Sequence, residues 1–359
     1  MLKIGWLLVL LLPTLSAWAQ EPLLLSLQKD KISLPSSRLY YVLDVLDKRT
    51  SRPRAFGELI EYTRPRPVAF SSSMERSLYE FWSNSTPHRR EESIPLVITL
   101  DELRLNEKRI GPNRVEGKLS ISVIFGWNRQ GTDLQLTTYQ ANTAYTRPET
   151  PYDHELLVRR MLSAALTHFD TWMKVNEGRH PLLVRGVKLV IRDVEHADKL
   201  DTVFYHPQRP LTWNDFRGSS DRPASRYGAA VFTSLAYEGN SRVNGKYLEA
   251  EVRVKVYMVR SLSWGLPSQR NSYTLRHEQL HFDITRLVAE RFKERLKKMD
   301  LTVEDYDSQI QYEFLEAYRE MDREQKKYDR ETNHGLNIST QAAFDRSISE
   351  EIARIYQLN

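Results

Sequence analysis

The chain contains no cysteine among its 359 residues. That absence excludes disulfides and thiolate metal ligands, and it leaves His, Asp and Glu as the side chains able to hold a metal ion. Blocks of one charge are also missing. The 52 Lys and Arg residues are interspersed with 47 Asp and Glu, so a formal net charge of +5 reads as an ordinary solvated exterior or as mild attraction to anionic surfaces. There is no basic stripe with interleaved aromatics, and nothing in the chain points to nucleic acid.

What is present begins with a short positive start, Met1-Leu2-Lys3, then the apolar run Ile4 to Leu12 and the small-residue signal Ala17-Trp18-Ala19. The run is too short to span a bilayer and is followed by Pro13, so residues 1–19 are expected to be a cleaved secretory signal peptide with no stable membrane span. No cysteine follows to accept a lipid. The expectation is a secreted or periplasmic chain, whose mature length of about 340 residues suggests two domains.

Residues 20–178 read as an α+β unit of the α/β sandwich kind. Leu39 to Val45 is a strand candidate, and Ser72-Ser73-Met74-Glu75 offers a capping box for a helix through Trp82. Pro95 to Leu105 looks extended. Lys118 to Trp127 and Leu134 to Tyr145 form a hairpin, and a helix from Asp153 to Val175 closes the unit. His154 and His168 are read as solvated or satisfied within the core rather than as ligands. No convergent catalytic set is visible here, so recognition or docking, for instance of an envelope protein partner, is the default role. Asn176 to Pro181 is the linker, marked by Gly178 and Pro181.

Residues 185–359 offer strands before helices. Val187 to Val194 and Tyr227 to Tyr237 are strand candidates. From Tyr247 to Met258 the alternation never slips, with Leu248, Ala250, Val252, Val254, Val256 and Met258 on one face, which predicts a half-buried antiparallel strand. An edge strand beside a cleft can pair with an extended peptide, and the sequence leaves open whether this strand is that edge. Trp213-Asn214-Asp215-Phe216, between Pro210 and Gly218, reads as a turn anchored by two aromatics or as a substrate-binding loop.

The sequence His277-Glu278-Gln279-Leu280-His281 is a complete H-E-x-x-H. From Tyr273 to Met299 there is no Gly or Pro, and apolar residues recur at helical spacing, so the motif sits within a helix. Positions i and i+4 share one face, which lets His277 and His281 converge on one Zn²⁺. Glu278 then stands beside the metal, placed to act as general base. Beyond Asp300 a second Gly- and Pro-free run, Thr302 to Thr332, folds back as the other arm of a helical hairpin and ends at His334-Gly335. A catalytic zinc needs a third protein ligand: His334 is the first candidate, and a carboxylate among Glu313, Glu316, Glu324, Asp329 and Glu331 is the alternative. Asp283 is a candidate to hydrogen-bond a group in the outer shell of the site, and Tyr328 to donate to a developing oxyanion.

Three motifs in order, Pro210-Leu211-Thr212-Trp213-Asn214-Asp215-Phe216-Arg217-Gly218, His277 to Ile284 and Tyr328 to Gly335, resemble a bacterial family of secreted zinc-dependent proteases, domain of unknown function 922. The resemblance covers the C-terminal half only. It implies a zincin-like metallopeptidase domain, an antiparallel sheet packed on a long helical hairpin, with His277 and His281 as ligands and Glu278 as base. His334 stands in the family's His-Gly motif and inherits a ligand-like role by position. Leu280 occupies a place where that family favours Gly.

The expected activity is hydrolysis of a peptide or protein substrate. Two alternatives remain: a non-catalytic envelope protein with a structural zinc, and a zinc amidase acting on cell-wall peptides.

Overall fold

The computed structural model describes residues 21–50, 53–62, 64–89, 92–194, 199–221 and 227–357. The expected signal peptide, 1–19, lies outside them. The chain divides between Glu177 and Gly178 into two compact units. Both mix α and β, and the described residues hold several sheets and five α-helices. No described helix is long and apolar enough to cross a membrane.

The first unit is built on one seven-stranded sheet. Its elements are β1 (Leu23–Leu25), β2 (Tyr40–Asp47), β3 (Ala55–Glu61), β4 (Arg64–Phe70), α1 (Met74–Ser83), β5 (Ile94–Gly111), β6 (Arg114–Arg129), β7 (Thr132–Arg147) and α2 (His154–Asn176). The helix expected after Ser72 starts one residue later, because the Ser73 side chain accepts from the amide of Arg76. The hairpin β6–β7 is antiparallel along its length. By contrast, β1 runs parallel to β4, and β2 runs parallel to β5, pairings between distant segments that alternation alone does not reveal. Helices α1 and α2 touch where Trp82 Nε1 donates to Leu162 O at 3.0 Å. Phe169 of α2 stacks on Phe125 of β6 at 4.8 Å between centroids.

His154 is satisfied in the core, as expected: its Nε2 lies 2.8 Å from Glu107 Oε1. Burial works against charge on Glu107, yet Arg147, His154, the amide of Ile60 and Tyr145 together hold its carboxyl far below the usual range.

The second unit comprises β8 (Val187–Asp193), β9 (Thr202–Phe204), β10 (Ala229–Ala230), β11 (Thr233–Asn244), β12 (Tyr247–Val259), β13 (Trp264–Gly265), α3 (Ser272–Lys297), α4 (Tyr306–Thr332) and α5 (Ile338–Gln357). β12 buries the face carrying Leu248, Ala250, Val252, Val254, Val256 and Met258. It is a central strand and cannot be the substrate edge: β11 lies antiparallel on one side, with β8 parallel and β9 antiparallel on the other. The segment expected as one strand from Tyr227 to Tyr237 is two, a short β10 paired with β13 and a long β11 paired with β12.

α3 is enclosed on more than one side. Phe282, Val288, Ala289 and Phe292 join the sheet's apolar face in one core, while Leu280, Ile284 and Leu287 meet Tyr328 of α4 and Ile348 of α5 in another. Leu280 is fully buried there, so its bulk is accommodated between helices. α4 returns antiparallel to α3: Arg295 pairs with Glu313, Arg291 with Glu320, and His281 with Asp329. The Asp215 turn is anchored by its two aromatics, as expected, with Phe216 in the core and Trp213 packed against it, and a charged cluster holds it as well. Asp215 accepts from Arg209 at 2.7 and 2.8 Å, from the Thr212 amide and hydroxyl, and from Arg260.

Candidate metal centre

α3 begins at an Asn271 cap whose side chain accepts from the amide of Thr274, which satisfies an otherwise orphaned donor of the first turn. One turn further on, His277 and His281 project from one face, with ring centroids 5.1 Å apart. Both are buried. Their Nε2 atoms converge on the same carboxylate oxygen: Asp329 Oδ1 lies 3.3 Å from His277 Nε2 and 3.0 Å from His281 Nε2.

These three donors lie within 4.8 Å of one another and could hold a metal ion. The spacing fits zinc. Ligands about 2.0–2.1 Å from one ion in a tetrahedron stand about 3.3 Å apart, close to both His–Asp separations. Two imidazole nitrogens and a carboxylate oxygen are donors that zinc accepts, and they are the set a cysteine-free chain can supply.

Electrostatics agree with the geometry. Burial penalises charge on Asp329, but hydrogen bonds from His277 and His281 outweigh it and hold the carboxyl well below the usual carboxylate range. For His277, burial favours the neutral ring, while Asp329, Glu278 and Gln341 raise its pKa. Glu278 is 3 % exposed, and burial pushes its carboxyl up, partly offset by His281 and His277. Its Oε2 accepts from the amide of Val231 at 2.8 Å, just beyond β10. A carboxyl whose pKa is raised by burial and which is fixed beside two imidazoles is suited to taking up and returning a proton.

His334, the first candidate for third ligand, is not in this group. α4 ends at its C-cap Asn333 with φ of 48°, and His334 follows at φ of 54°, so its side chain leaves the helix face before reaching the pair. It is 42 % exposed, its Nδ1 is 3.6 Å from Asp329 Oδ2, and its ring packs on Tyr227 at 4.6 Å. Asp329, named only among the alternative carboxylates, is the third donor of the group. Of the other carboxylates considered, Glu313 pairs with Arg295 and Glu316 with Arg319.

Tyr328 also differs from expectation. It is fully buried, and its hydroxyl lies 2.9 Å from His277 Nδ1, on the side of the ring opposite Asp329, so it is not placed as an oxyanion donor. Asp283 bonds residues flanking the histidines rather than an imidazole. It accepts from Tyr205 Oη, Gln279 Nε2 and Arg276 Nη1, and so fixes α3 against its neighbours. Gln279, the second residue of the motif's interior, accepts from the amide of Leu211 at 2.7 Å, which ties the Pro210 to Gly218 motif directly to the H-E-x-x-H helix.

Two contributors were missed by sequence reasoning. Val231 acts through its backbone, which leaves no side-chain signature. Gln341 of α5 lies 3.1 Å from His277 Nδ1 through Oε1; the signal that could have found its helix is the stripe Phe344, Ile348, Ile352 and Ile355, which packs in the second core.

No curated protein matches the chain. Residues 268–335, which hold all three donors and Glu278, match the family described as Bacterial protein of unknown function (DUF922), so the site lies within the matched segment.

Proposed function

We propose that this chain is an exported, zinc-dependent metallopeptidase whose C-terminal unit is zincin-like. The observation that carries the reading is the convergence of His277 Nε2, His281 Nε2 and Asp329 Oδ1 with Glu278 fixed alongside. Zinc, when bound, supplies a Lewis acid that polarises a carbonyl and brings the acidity of a water close to neutrality.

The chain's own residues do the rest. His277, His281 and Asp329 hold the ion. Glu278, its pKa lifted by burial, takes the proton of the attacking water and delivers it to the departing nitrogen. The Val231 amide keeps the Glu278 carboxylate in one orientation. Among the described residues no fourth His, Asp or Glu joins the group, which favours an open, catalytic position over a closed structural site.

A peptide is the substrate class supported best. Among the described residues, strand β10 pairs with β13 on one side only and leads straight into the amide that holds Glu278, so its other edge is the place for an extended chain to add by backbone hydrogen bonds. Residues 1–19, read as a secretory signal, support export.

The test is zinc-loaded protein incubated with a mixed peptide library, with Glu278→Gln beside wild type. Cleavage by wild type and none by the variant, at equal zinc content, supports the reading; equal cleavage by both refutes the role of Glu278. Isolated peptidoglycan in a parallel incubation distinguishes proteolysis from cell-wall amide hydrolysis.

A further inference from the structure

We infer that Gln341, on the helix beyond the matched segment, is a positioning residue that sets the ligating state of His277; this rests on the metal-centre reading above. The two nitrogens of the His277 ring have different duties. A histidine that ligates through Nε2 must carry its proton on Nδ1, and an acceptor opposite Nδ1 fixes both that tautomer and the ring's rotation. Gln341 is 3 % exposed and its Oε1 lies 3.1 Å from Nδ1.

The amide has one sensible orientation. Its Nε2 donates to the carbonyl of Tyr273 at 3.5 Å, so Oε1 is left to accept from the imidazole. Tyr328 Oη also meets Nδ1 at 2.9 Å, but a phenol can donate as well as accept and does not choose between tautomers. Gln341 makes that choice. Among the described residues His281 has no such partner, its Nδ1 being buried without a hydrogen bond.

The surrounding structure is shaped to keep Gln341 in place. Asn333, His334 and Gly335 have φ of 48°, 54° and 82° in succession, a left-handed reversal that turns the chain from α4 into α5. A Cβ at Gly335 would stand 3.2 Å from both Gln341 Oε1 and His277 Nδ1, so a side chain there would crowd the bond itself. The Tyr273 hydroxyl donates to Gly335 O at 2.7 Å, and Asn337 Oδ1 accepts from the Thr340 amide to start α5. Arg276, next to His277, donates to Asp345 at 2.6 Å and to Ser349 at 3.0 Å, which clasps α5 to α3.

The experiment titrates Zn²⁺ into the full chain against a competing chelator, and records the Co²⁺ absorption spectrum, for wild type, Gln341→Met and Gln341→Glu. Methionine keeps the length and removes the acceptor; glutamate keeps an acceptor. Zinc affinity is expected to fall about 10- to 100-fold in Gln341→Met, with an altered Co²⁺ spectrum, and to stay within about threefold of wild type or tighten in Gln341→Glu, since a carboxylate raises ligand basicity. A merely structural role would lower the melting temperature of the chelated protein and leave affinity unchanged. Wild-type affinity in Gln341→Met overturns the inference. So does a tenfold loss in Gln341→Glu, which decides the matter should the methionine variant not fold. If wild type itself takes up no zinc, the metal-centre reading fails, and that outcome is distinct from either.

Discussion

Replacing Asp329 by Ala should abolish stabilisation of the chain by zinc, while replacing His334 by Ala should leave it intact. The structure puts the Asp329 carboxylate 3.0 and 3.3 Å from the two imidazole nitrogens and His334 outside the group, its Nδ1 3.6 Å from the other carboxylate oxygen. An ion that binds only the folded state stabilises it by about 2.7 kcal/mol at a free concentration 100 times its Kd. For a unit of about 180 residues, each kcal/mol moves Tm by roughly 2–4 °C. Zinc should therefore raise the melting temperature of wild type and of His334→Ala by about 5–10 °C over the chelated protein. In Asp329→Ala the rise should fall below about 2 °C, because a pair of histidines remains where three donors stood. Differential scanning fluorimetry with each variant compared to its own chelated form removes the separate effect of losing the ion pair. A zinc shift kept by Asp329→Ala and lost by His334→Ala would refute the ligand assignment.

Glu278→Gln should bind zinc with wild-type stoichiometry by metal analysis, and lose at least a hundredfold in peptide turnover, the order of effect that general acid–base catalysis contributes; substantial turnover would remove Glu278 from its role. Gly335→Ala combines a left-handed backbone with a Cβ crowding His277 and Gln341. It should cost about 1–2 kcal/mol in urea unfolding and weaken zinc binding as well, and a variant as stable as wild type would contradict the close approach. Asp215 is buried, which raises its pKa, but Arg209 and Thr212 outweigh that and bring it down to about 2. Its folded pKa lies below the unfolded value, so the stability it confers, about 2 kcal/mol, is fully present above pH about 4 and lost as pH falls toward 2. Asp215→Ala should cost about 1–3 kcal/mol at neutral pH, because the Thr212 amide and hydroxyl and the Arg209 guanidinium lose the carboxylate they donate to, and its acid unfolding curve should lack that portion of the slope.

The sequence spelled out those parts of the fold that are written in local periodicity. β12 alternates without a slip and buries the face so predicted; α3 and α4 carry continuous apolar stripes without Gly or Pro, and both form, offset by a few residues at their starts. Pairings between distant segments were not legible, since nothing local in Tyr40–Asp47 says that it lies parallel to β5. At the site, His277, Glu278 and His281 follow from helical geometry. That Asp329 and not His334 stands with the two imidazoles did not, because it turns on where α4 ends: Asp329 lies within the last turn and meets both rings, while His334 follows a left-handed cap. Val231 and Gln341 reach the site through a strand and a helix that only the tertiary arrangement brings near.

His277 is touched by two things at once, the donor group at Nε2 and the last helix at Nδ1. Equilibria that share a residue are thermodynamically coupled, and the coupling has the same size read from either side. Loading the centre should slow amide exchange along Ile338–Gln357, where no side chain meets the ion, and whatever loosens that segment should loosen the grip on the metal by an equal factor.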